Sequence, residues 1–180
     1  MKIVDASQYH FMPMDNILID TNFWLLTYNI FASRNDRHYS GLLDYISSSN
    51  IYITDLIISE FIHTSLKIAF KNYKKSNNLP DIAYKEDYQS TDDFKQQYQI
   101  AVETMHNEIL GLPKINLIET KKEYLYKAFE FPNKMLDFND RVIVQTALDN
   151  QLSILTDDAD YKDCNADIKI LTKNKNLLKY

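Results

Sequence analysis

The chain has 180 residues, enough for one domain with its own core, and its 45% apolar content is that of a globular protein. A net charge of −5 lacks the basic footprint usual in nucleic-acid binders, and two glycines, Gly41 and Gly111, cannot supply a glycine-rich phosphate-binding loop. One cysteine, Cys164, excludes a disulfide framework and a CxxC zinc site.

No apolar run approaches the roughly 20 residues that span a membrane, and no signal peptide is visible. A reduced, cytoplasmic protein with no membrane partner is therefore expected. His10, His38, His63 and His106 show no ligand spacing and read as surface or capping residues.

Residues 1–16 carry no clear periodicity. Residues 17–19 form a short, wholly apolar stretch, which suits a strand covered on both faces. Helices are predicted over 23–32 and 37–47, and a second strand over 51–54. Thr54 is placed to cap a long helix over 55–75, which "SNNLPD" ends. Residues 81–93 are acidic and irregular, and a helix follows that Thr91 could cap. A third strand covers 115–119 and a helix follows over 120–130. The last helix is "DRVIVQTALDN", with Asn139 as its expected cap and Phe138 and Ile143 as a hydrophobic staple. Strands at 153–156 and 168–171 close the chain. Strands alternating with helices predict an α/β fold with a mainly parallel sheet. Ligands of such sheets sit beyond the carboxyl ends of the strands.

Two of those ends carry carboxylates. "ILIDTN" delivers Asp20 after the first strand, and "SILTDD" delivers Asp157 and Asp158 after the fourth. Each has an ordinary reading: Asp20 as a helix cap, and "TDDAD" as a polar turn. Asp140 is harder to explain that way. It shares a helical face with Ile143, Val144 and Ala147, where an unpaired carboxylate is costly. A salt bridge to a buried lysine is the alternative. Glu60 lies on a mixed face, and by itself reads as a solvated glutamate. Together, four carboxylates at one sheet rim would need a cation to stay ionised. An all-oxygen ligand set points to Mg²⁺ or Mn²⁺, which can activate water for phosphoryl displacement.

"LIDTN", the glutamate of "ITDLIISEF", "FNDRVIVQTA" and "ILTDDADY" occur in this order over residues 18–161. They resemble the four acidic blocks of PIN-domain ribonucleases, which include VapC-type toxins of toxin–antitoxin pairs. The resemblance implies one α/β/α sandwich over 1–180 with a five-stranded, mainly parallel sheet. It implies metal-dependent hydrolysis of RNA, with Asp20, Glu60, Asp140 and Asp158 as catalytic and metal-binding residues. Asn22 and Thr156 then support the site, and Asp157 and Asp137 are neighbouring candidates. Arg141 stands where the family often has a small residue, and Asp157 where a neutral polar one is common. Residues 1–16 and a helical extension at roughly 72–98 exceed a compact toxin of the family.

RNA is the substrate so implied; an antitoxin protein and a second copy of the chain are the protein partners to look for. A non-catalytic PIN-like scaffold that binds RNA or protein, or a DNA-directed nuclease on the same site, are the alternatives. Lys67, Lys71, Lys74 and Lys75, with Arg141 and Lys162, could make a local phosphate-binding rim; the alternative is a solvated lysine face. Tyr73, Tyr84, Tyr88 and Tyr98 offer ring faces to unpaired bases, although packing against the core is the expected role.

Overall fold

Among the described residues, six parallel strands in the order β1-β6-β5-β2-β3-β4 form the sheet. The computed structural model describes residues 1–28, 39, 41–131 and 136–180. In chain order the elements are β1 (Lys2–Asp5), β2 (Asn16–Ile19), α1 (Thr21–Tyr28), α2 (Leu42–Ile46), β3 (Asn50–Thr54), α3 (Asp55–Asn77) and α4 (Asp92–Glu103). They continue with β4 (Ile115–Ile118), α5 (Lys122–Glu130), α6 (Phe138–Asp149), β5 (Ser153–Leu155) and β6 (Lys169–Thr172). Right-handed crossovers between parallel strands place helices on both faces of the sheet.

The central strands are apolar because both faces are covered. Ile17, Leu18, Ile19, Ile154, Leu155, Ile170 and Leu171 are fully buried. The chain runs from β2 outward through β3 to β4, returns to β5, and runs outward the other way to β6. The direction therefore switches between the neighbouring strands β2 and β5, and their carboxyl ends flank the crevice where ligands of such sheets bind.

The expected five strands become six. The extra one is β1, an edge strand paired only with β6 from Lys2↔Lys169 to Asp5↔Thr172. Its four residues, Lys2 exposed and the other three half-buried, carry too little pattern to be recognised from the N-terminal sequence.

Helix α3 follows its sequence signals. The Thr54 hydroxyl accepts from the Ile57 amide at 3.2 Å, and Ile57, Phe61, Ser65 and Ala69 form the buried stripe. Asn78 ends the helix in the left-handed conformation, with φ 53°. The next segment is more ordered than its composition suggests: Tyr84–Tyr88 makes one π-helical turn. Thr91 caps α4, accepting from the Phe94 amide at 3.1 Å. A second π-helical stretch, Thr104–Ile109, extends it.

The cap of α6 is Asp137, whose carboxylate accepts from the Asp140 amide at 2.9 Å, and not Asn139. The expected staple between Phe138 and Ile143 does not form around that cap. Phe138 is the first helical residue, and its exposed ring lies against Phe129 at 4.8 Å. The helices expected over 23–32 and 37–47 extend into residues 29–38 and 40, and His38 is among them; these lie outside the described residues.

Candidate active site

Four carboxylates reach the switch point from four elements. Asp20 follows β2 directly, and Asp158 lies three residues beyond β5. Glu60 is in the second turn of α3, which springs from the end of β3, and Asp140 is in the first turn of α6. Because β5, β2 and β3 are neighbours, their ends converge.

Asp20 is 3% exposed. Its backbone carbonyl, and not its carboxylate, receives the Phe23 and Trp24 amides that start α1. The carboxylate instead accepts from the Thr156 hydroxyl at 2.7 Å, across the β2–β5 boundary. The same hydroxyl accepts from the Asp158 amide at 2.9 Å, so Thr156 ties the two acidic segments together. Asp158 receives Asn22 Nδ2 at 3.0 Å and the Asp160 amide at 2.8 Å. Glu60 receives the Thr21 hydroxyl at 2.9 Å. Every side chain of the Asp20–Asn22 run is thus turned to the acidic rim.

Burial pushes the Asp20 carboxyl up to about 7, opposed by its bonds from Thr156 and Thr21 and assisted by the charges of Glu60 and Asp158. Asp140 is pushed up to about 8, first by burial and then by the charges of Asp137, Asp20, Asp158 and Glu60. Asp20 and Asp140 are therefore both within reach of the charges of Glu60 and Asp158. Among the described residues, no lysine or arginine stands in ion-pair contact with any of them.

The neighbouring candidates separate. Asp157 accepts from the Tyr39 hydroxyl at 2.7 Å. Asp158, and not Asp157, adds its charge at both Asp20 and Asp140. Asp137 serves as the exposed cap of α6. Arg141 donates from Nε to the Leu136 carbonyl at 2.9 Å. Lys71, Lys74 and Lys75 surround Phe70 and Leu79 at the far end of α3, roughly 16–22 Å along the axis from Glu60 at 1.5 Å per residue. Lys67, nearer by a turn or more, lines a depression beside Glu60 and Asn139. Lys162 is exposed after the last acidic block.

Two residues at the site escape a reading by pattern. Thr21 lies between two residues that draw attention for their polar chemistry. Tyr161 is fully buried, its hydroxyl has no hydrogen-bond partner among the described residues, and its proton is held well above the ordinary range by burial and by Asp20, Asp140 and Asp158.

The donor chemistry fits a hard divalent cation: anionic oxygens, no sulfur or imidazole among them, and excess negative charge. The rim is open. Among the described residues, no three His, Cys, Asp or Glu side chains converge closely enough to enclose an ion.

The solved structures most like this fold include VapBC2 from Rickettsia felis bound to a DNA fragment from its promoter, at 13% identity and a TM-score of 0.54 over 87% of this chain and 97% of that one. FitAcB from Neisseria gonorrhoeae matches at 16% identity and a TM-score of 0.53, over 86% and 96% of the two chains. DNA-bound VapBC from Salmonella typhimurium matches at 11% identity and a TM-score of 0.50, over 89% and 99%. No curated protein matches the chain by sequence. The PIN domain family model matches residues 17–166, a span that takes in all four carboxylates, and the chain belongs to the PIN domain family.

Proposed function

We propose that this protein is a divalent-metal-dependent endoribonuclease. The observation that carries the reading is the rim itself: carboxylates from four elements lie near enough for Glu60 and Asp158 to raise both Asp20 and Asp140, and no described lysine or arginine is in ion-pair contact with them. A bound Mg²⁺ or Mn²⁺ would lower the pKa of water and offset charge on the scissile phosphate. Asp20, Asp140 and Asp158 would hold that ion. Glu60, steadied by the Thr21 hydroxyl, would hold it too or orient the attacking water. Thr156 and Asn22 fix the carboxylates in place, so little reorganisation accompanies the reaction.

The biological reading that goes with this chemistry is the toxin of a toxin–antitoxin pair, acting in the cytoplasm on RNA. The fold's likeness to VapBC and FitAcB chains supports it. An antitoxin protein is the partner proposed, and a second copy of the chain is a further one. The test is cleavage of single-stranded RNA and of single-stranded DNA of the same sequence in Mn²⁺, in chelator, and with Asp158→Asn. RNA cut only with metal and only by the unaltered protein is expected. Full activity in chelator would end the metal mechanism; cleavage of DNA alone would make the enzyme a DNA nuclease.

A further inference from the structure

The acidic rim opens into a groove that the α4 side of the molecule completes. One wall is α3 from Ser59 to Phe70, and the other is the segment from Tyr84 to Tyr98. Two depressions lie along it. The first, about 310 Å³, holds Glu60 and Asn139, and the second, about 560 Å³, is floored by Leu66, Phe70 and Phe94. Ser59, His63 and Lys67 line both, so they form one continuous track. From Glu60 to Phe70 is ten residues of helix, or about 15 Å, room for about four stacked nucleotides.

We infer that this groove binds the single-stranded RNA flanking the scissile bond, with Lys67 and Lys85 on phosphates and Tyr98 stacked on a base. The inference rests on the endoribonuclease reading and adds a binding site to it. Charge and ring geometry both favour that occupant. Lys67 and Lys85 are exposed on opposite walls. Three of the acidic residues on this wall are engaged, Asp87 with the Ala83 amide, Asp92 with Lys95 and Asp93 with the Tyr88 hydroxyl, and Glu86 is exposed beside Lys85.

The aromatic residues form a rigid platform. Phe94 packs edge-on against Tyr84 and stacks with Tyr98 at 6.2 Å and 27°. Tyr98 is 48% exposed, so a base laid on its outer face would continue that stack. Tyr88 is buried and Tyr73 lies against it away from the groove, so two of the four tyrosines in this region face the track. Stacking of this kind requires unpaired bases, because a duplex hides their faces.

The experiment compares the unaltered protein with a Lys85→Gln/Tyr98→Ala variant. Both positions are exposed, and circular dichroism confirms that the variant folds. Fluorescence anisotropy reads binding of a 12-nucleotide RNA, a 3-nucleotide RNA and a 12-base-pair duplex, in chelator so that nothing is cut. The variant should bind the 12-mer at least about tenfold more weakly, with the 3-mer and duplex unchanged. Its salt slope for the 12-mer should shrink by about 0.7 for the lost phosphate contact. Equal affinity for the 12-mer overturns the inference, as does an equal loss on the duplex. So does a variant that binds RNA normally but loses a protein partner. If the protein binds the 12-mer through the groove but cuts no RNA, the nuclease reading falls and the groove stands. If it cuts RNA and the variant binds the 12-mer normally, the groove falls and the nuclease reading stands.

Discussion

The Thr156 hydroxyl and Asp20 Oδ2 are 2.7 Å apart, both buried, one residue past the ends of the neighbouring parallel strands β5 and β2. That hydroxyl has one proton, which it gives to Asp20, and it accepts from the Asp158 amide. Thr156→Val keeps the shape and removes both bonds. Bonds to charged groups contribute about 1.5–3 kcal/mol, and the lost acceptor adds to that cost. At pH 8 the variant should lose at least about 1.5 kcal/mol, and Thr156→Ser should recover most of it. Urea unfolding of the three proteins measures this; a neutral Thr156→Val would mean that Asp20 is held by other groups.

Stability without metal should fall as pH rises. The Asp20 and Asp140 carboxyls have folded-state values of about 7 and about 8, against 3.8 for a free aspartate. Between those values the folded chain binds more protons than the unfolded one, so unfolding free energy decreases with pH. The contribution is fully present below about pH 4 and is lost as pH passes through 7 to 8. Its slope is at most about 1.4 kcal/mol per pH unit per group. Asp140→Asn should flatten the upper part of the curve. Melts in chelator from pH 5 to 8.5 provide the check, and a melting temperature that climbs over that range would contradict it.

Much of this was legible because local chemistry and tertiary role agree. Thr54 ends a strand, caps α3, and precedes a clean four-residue stripe, so cap and helix were both visible. Asp140 was conspicuous because a carboxylate on an apolar stripe needs a reason. Features set by distant partners were not legible. Strand β1 exists because β6, more than 160 residues later, offers it an edge. Asp137 and Asn139 are equally good caps by type, and only the folded chain shows that the Asp137 carboxylate takes the Asp140 amide. A π-helical turn leaves no periodic trace, so Tyr84–Tyr88 looked irregular. Tyr161 reads as an ordinary aromatic after a polar turn, and its nearness to three carboxylates depends on the fold.

That residue gives a separate prediction. A buried hydroxyl with no partner among the described residues carries its desolvation cost uncompensated, about 1–3 kcal/mol. Tyr161→Phe removes the hydroxyl and leaves the ring. The variant should be as stable as the unaltered protein or up to about 1 kcal/mol more so in denaturant unfolding. A loss above about 1 kcal/mol would show that the hydroxyl has an ordered water as its partner.

The last prediction distinguishes metal binding from a purely structural role at Asp20. If Asp20 only supports the fold, Asp20→Asn should cost some stability, since the amide replaces a charged acceptor for Thr156 by a neutral one, and metal should affect both proteins alike. If Asp20 belongs to a metal-binding rim, two opposing effects appear. In chelator at pH 8 its charge sits in a buried place among Glu60, Asp158 and Asp140, and that strain is relieved when the charge is removed. The variant should therefore melt higher than the unaltered protein. In Mn²⁺ the unaltered protein should gain about 2.7 kcal/mol at a hundred times its dissociation constant, by mass action. The variant lacks a ligand and should gain much less. The two melting temperatures should cross between chelator and millimolar Mn²⁺. Parallel curves in both conditions, with the variant lower throughout, would make Asp20 a structural residue and remove it from the proposed site.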